Sequence, residues 1–145
     1  MRQLLTSALV LLGSGAAAAA QTDVTGATID TAGYEDVTIV ANLGIITSTG
    51  VPTLKAAQGD ASNGGDKADI EGSAVVGDDT LSNKALSLEI HRPKHRYITP
   101  ILTRGTANVA VANIIVILSN PGFVPVTQTY IASGKALVSP DSGTA

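Results

Sequence analysis

The chain has 145 residues, 44% of them hydrophobic, 14% charged and 3% aromatic, with a net charge of −3. It contains no cysteine, which excludes disulfides, thiolate nucleophiles and cysteine-held zinc. Soluble domains usually carry about 25% charged residues, so part of this surface is expected to be covered by a partner, because large exposed apolar area marks interfaces.

The opening stretch MRQLLTSALVLLGSGAAAAA reads in two ways. Arg2, the apolar run from Leu4 to Leu12 and the small residues up to Ala20 match a secretory signal cleaved near Gln21. The run is too short to cross a membrane, and no membrane partner is expected. The preferred reading is an apolar arm over residues 1–22 that lies against a neighbouring subunit. Arg2, Leu4, Leu5, Leu11 and Leu12 are its candidate contacts.

A domain is expected over residues 23–140. DVTGATIDTAGYEDVTIVANLGII carries two strand signals around a turn at Ala32 and Gly33. TLKAAQGD gives a further short strand. Residues 59–79 set six acids against Lys67, which predicts a long acidic surface loop with one short strand near Ala74 to Val76. ALSLEIH alternates cleanly, with Leu86, Leu88 and Ile90 on one face. RYITPILTR resumes after Pro93, and Pro100 predicts an edge or bulged strand. NVAVANIIVILSN is apolar on both faces and reads as a central, buried strand. Asn120, Pro121 and Gly122 make a turn, FVPVTQTYIASGKALVSP supplies one or two more strands, and residues 141–145 form a flexible tail. Eight to ten short strands and no firm helix predict an all-β, two-sheet antiparallel sandwich of jelly-roll type.

The stretch HRPKHRYITPILTR gathers both histidines and four of the nine Lys and Arg residues. His91 and His95 lie four apart, a metal spacing only on a helix, and Pro93 stands between them. The acidic loop does not match a calcium-loop spacing. GSG at Gly13 and ASGKA at Ala132 fit neither a nucleophile elbow nor a phosphate loop. One aromatic, Tyr97, and an acidic balance equip the chain poorly for nucleic acid. No enzyme activity, cofactor, metal, nucleic acid or small-molecule substrate is therefore expected. Two readings of the basic cluster remain open. Arg92, Lys94, His95, Arg96, Tyr97 and Arg104 form a docking rim, or the cations solvate an edge strand against aggregation.

Ile29–Asp30–Thr31 and Gly33–Tyr34–Glu35, then TLKAAQGD, then Arg96–Tyr97, then Asn120–Pro121 and Pro125–Val126 follow one another in a distinctive order. Over residues 26–126 this order resembles small tailed-phage virion proteins, including capsid decoration or cement proteins. KAAQGD lacks the acidic, Ser-rich turn of that pattern, and Ser119 and Asn120 stand where Gly and His are usual. The resemblance implies a non-enzymatic structural protein that clamps the major capsid protein on the outer face of a shell, with sister copies in a dimer or trimer. It also implies a retained, partly apolar N-terminal segment. The alternatives are a neck or tail subunit, and a secreted or periplasmic β-sandwich binding module.

Overall fold

The computed structural model describes residues 4–135. In chain order its strands are β1 (Ala8–Ser14), β2 (Ala17–Ala20), β3 (Val24–Thr25), β4 (Ile29–Asp30), β5 (Tyr34–Ile46), β6 (Thr53–Gly59), β7 (Ala68–Asp69), β8 (Val75–Val76), β9 (Ala85–His91), β10 (Tyr97–Thr103) and β11 (Val109–Pro121). One sheet runs β1-β11-β5-β9, with β2 also on β11. The other runs β3-β10-β6-β7, with β4 also on β10 and β8 on β6. All pairings are antiparallel. β1 with β2, β3 with β4 and β7 with β8 are each two halves of one interrupted strand, because each pair lies along one edge of a shared neighbour. Among the described residues the sandwich then has eight strand units, ordered 1-8-3-6 and 2-7-4-5, which is the jelly-roll arrangement.

The core is built by alternation. Val37, Ile39, Ala41 and Leu43 of β5 are buried, while Asp36, Thr38, Val40 and Asn42 between them are half-buried on the outer face. Leu86, Leu88 and Ile90 of β9 sit opposite Ala41, Ile39 and Val37 and pack on the same core. β11 changes phase. Val109 and Val111 are buried, then Ile114, Val116 and Leu118. The one-residue slip coincides with the register shifts between Val109 and Asn113. An extra residue in one strand turns every later side chain to the other face, so this strand reads as apolar on both faces. Each fully buried Ile or Leu here contributes about 1.5–3 kcal/mol.

Four expectations are corrected. First, residues 8–20 are not an arm reaching to a neighbour. β1 pairs with β11 from Ala8↔Ser119 to Ser14↔Ile114, and Leu9 and Leu11 pack on the chain's own core. An apolar run beside an unfilled edge of its own sheet satisfies its backbone and its side chains at once.

Second, β10 is an interior strand despite Pro100. The missing N–H falls where the neighbouring strand is broken, between β3 and β4. There Gly26 donates to the Pro100 carbonyl at 2.8 Å. A Cβ on Gly26 would stand 2.7 Å from the Pro100 ring, so only glycine fits opposite the proline.

Third, Arg104 is no rim residue; it is 4% exposed. Its Nε donates to Thr22 O at 2.5 Å. Nη1 donates to Ala18 O at 2.7 Å and Val109 O at 2.8 Å, and Nη2 to Thr22 Oγ1 at 3.3 Å. Its five-donor fork suits such a cluster of carbonyls, and it ties the 18–22 segment to β11.

Fourth, no strand follows Pro121 among the described residues. The stretch from Gly122 crosses beside β1 and the helical turn Leu4–Ser7 that precedes it, where Val126 N–H donates to Thr6 O at 3.0 Å. Residues 136–145, and with them the expected tail, lie outside the described residues.

Candidate functional site

One end of the sandwich collects most of the residues the sequence singled out. The β4–β5 turn, the β9–β10 connection and the end of β11 meet there. Gly33 takes φ +88°, a left-handed conformation suited to glycine, and its carbonyl accepts from Gly122 N–H at 3.0 Å. Tyr34 is in register with Pro121. Asn120 Nδ2 donates to Glu35 Oε2 at 2.7 Å. Across the turn, Thr31 N–H and Oγ1–H both donate to Arg96 O, at 2.9 and 2.8 Å.

The bases at this end face acids of the same chain. Arg96 grips Asp30 with two parallel bonds, Nε to Oδ1 at 2.9 Å and Nη2 to Oδ2 at 2.8 Å, and stands 5.3 Å from the centre of the Tyr97 ring. Bidentate pairs of this kind are the stronger sort of surface ion pair. His95 Nδ1 contacts Asp60 Oδ2 at 3.0 Å, and His91 Nδ1 contacts Asp36. Arg92 is 3.7 Å from Glu35. Lys94 is exposed and has no carboxylate within 4.0 Å among the described residues.

The electrostatic consequences follow from those contacts. The Arg96 side chain, then the Ala32 N–H, hold the Asp30 carboxyl below its usual range against a desolvation effect that raises it. Asp30 in turn pushes the Arg96 guanidinium up. The bond from His95 lowers Asp60. Partial burial raises Tyr34. Arg92 and Arg96 face Glu35 and Asp30, and His91 and His95 face Asp36 and Asp60, so this end is not a basic patch although Lys94 stands apart. The acidic loop is also engaged. Asp66 accepts from the N–H groups of Asp60 and Ala61, Asp69 pairs with Lys55 at 2.7 Å, Asp78 caps the helical turn Asp79–Leu81, and Asp79 accepts from Thr49 N–H.

The two histidines reach different carboxylates, and no group of three His, Asp or Glu side chains that could hold a metal occurs among the described residues. An open cleft lies between residues 31–35 and 92–96, and a second runs past Gln58, Ile70, Ile90 and Lys94.

The N-terminal candidates divide. Leu11 packs on the core and Leu5 is half-buried. Leu12 and Leu4 are 37% and 57% exposed. Arg2 lies outside the described residues. Sequence reading missed Phe123, the chain's single Phe, which is 92% exposed beside the Gly33 turn, with Val124 next to it at 57%. The signal was an apolar pair held between the turn residues Gly122 and Pro125, which denies it a place in a ladder.

No protein family and no curated protein matches the chain. Among solved structures it is similar to the SPBc2 prophage-derived protein YomS, at 10% identity and a TM-score of 0.47, over 81% of this chain and 97% of that one.

Proposed function

We propose that the chain is a non-enzymatic structural subunit of a phage virion, a decoration or cement protein that binds the outer face of the major capsid shell. The observation that carries this reading is a convergence. Three of the four blocks by which the sequence resembles virion proteins, the opening, Arg96–Tyr97 and the close, meet at one end of a jelly roll. Asp30 binds Arg96, Tyr34 stands opposite Pro121, and Glu35 holds Asn120. These ties fix three connections of a small sandwich into one rigid face.

That face has an apolar point and a polar rim. Phe123 and Val124 project from it, and Arg92 and Lys94 flank the neighbouring cleft. An exposed aromatic surrounded by polar groups is the usual anatomy of an interface hot spot. Many weak clips of this kind on one shell add through multivalency. The contact to the shell thus moves from a rim of free charge to Phe123, with Arg92 and Lys94 beside it.

The test mixes the full chain with purified shells and measures occupancy by co-sedimentation. Saturable binding that Phe123→Ser weakens by about tenfold or more supports the reading. Absence of binding by the wild-type chain, with self-assembly into rings in its place, would transfer the role to a neck or tail subunit.

A further inference from the structure

The two sheets have four lateral edges, and three are protected. In the second sheet both outer units are broken into two-residue pieces, β3 with β4 and β7 with β8, and very short edges resist pairing. In the first sheet, the outward Ala8 C=O and Val10 N–H on β1 are taken by the Gln128 side chain. The fourth edge is β9. It is seven residues long and carries no proline, bulge or Lys.

The direction of its free groups is fixed by the ladder. Leu43 N–H donates to Lys84 O, and Arg92 N–H to Glu35 O, so even-numbered residues face β5. The N–H and C=O groups of Ala85, Ser87, Glu89 and His91 therefore point away from the sheet. β5 is the only strand paired with β9 among the described residues. The side chains of these four residues are exposed, while Leu88 and Ile90 reach only half burial.

We infer that β9 is a self-pairing edge, and that a second copy of this chain adds its own β9 antiparallel across a twofold axis. The strand ALSLEIH is complementary to itself over all seven residues in the register centred on Leu88. Leu88 meets Leu88 of the second copy, Leu86 meets Ile90, Ser87 meets Glu89, and Ala85 meets His91. Apolar residues stay on the core face of the joined sheet, no two like charges stand directly opposite, and the smallest side chain faces the histidine. Shifting the axis by one residue toward the C-terminus sets Glu89 against Glu89, a repulsive pair. The outward groups of Ser87 and Glu89 then gain ladder partners, as in recognition by strand addition. The inference does not depend on the virion reading, since a dimer and a shell contact are scored separately.

The test is sedimentation velocity of the full chain over a wide concentration range, with amide exchange by NMR. The expected result is a reversible monomer–dimer equilibrium with the Ser87 and Glu89 amides protected in the dimer. Ser87→Lys, placed against Glu89 of the other copy twice by symmetry, tightens the dimer by about tenfold, and Ser87→Glu loosens it by about as much. Ser87 is an exposed outer-face position, so the thermal melt of the monomer confirms folding of each variant. A chain that stays monomeric with fast-exchanging Ser87 and Glu89 amides overturns the inference. So does a trimer, or a dimer that both substitutions leave equally strong.

Discussion

The side chain of Gln128 occupies the place of a strand beside Val10. Its Oε1 accepts from Val10 N–H at 3.1 Å, and its Nε2 donates to Ala8 O at 2.6 Å and Leu5 O at 3.1 Å. One side-chain amide has the same donor and acceptor pair as a peptide unit, so it caps the first part of the β1 edge in place of a further strand. Gln128→Ala is expected to cost about 1–2 kcal/mol and to raise amide exchange at Val10 selectively. Denaturant melts and exchange measured on the same variant check both parts.

Arg104 and Lys94 look alike in sequence and differ in structure. Arg104 lies under the 18–22 segment with three carbonyl partners, whereas Lys94 is exposed. Arg104→Ala leaves those carbonyls buried and is expected to cost about 3 kcal/mol or more, and Arg104→Lys also destabilises, because an ammonium cannot span them. Lys94→Ala should stay within about 0.5 kcal/mol of wild type. Thermal melts of the three variants side by side decide it.

Removal of residues 1–20 takes away β1, β2 and the Ala18 carbonyl that Arg104 binds. β11 then loses one of its two neighbours, and its backbone along that edge is left without partners. The truncated chain is expected to lose its cooperative melt. A truncated chain that melts like wild type would show that the first two strands are dispensable.

Acid should weaken the end where Asp30 meets Arg96. The Asp30 carboxyl is held below its ordinary value in the folded chain, so the folded state binds fewer protons there than the unfolded state. Its stabilisation is fully present above the ordinary aspartate pKa of about 3.9 and is lost as pH falls through the lowered folded value. Asp60, Asp66 and Asp78 act in the same direction. The pair is more than a third exposed on both sides, so the effect is small. Asp30→Asn should melt lower than wild type at neutral pH and converge with it in strong acid.

The sequence announced its core more clearly than its charges. Leu86, Leu88 and Ile90 alternate because one face of β9 meets the core and the other meets solvent, and that period survives in the fold. The charges carried no such period. Arg96 and His95 were open to reading as a docking rim because Asp30 and Asp60 lie 66 and 35 residues away in the chain. Arg104 was illegible for the same reason, since its partners are backbone carbonyls that any sequence supplies. The N-terminal run was ambiguous because an apolar strand, a signal and an arm have one composition, and only a vacant place beside β11 distinguishes them. Phe123 was hidden by β-type residues around it, in a stretch whose turns keep it out of any ladder.

Whether this jelly roll is a structural part of a phage particle is tested by an intact mass on gradient-purified particles of a phage whose genome encodes the chain. A virion role predicts this chain in a fixed ratio to the major capsid protein, with β1 and β2 still attached. Particles that lack it, with a chain beginning near Gln21 recovered from outside the cell, would rule that role out.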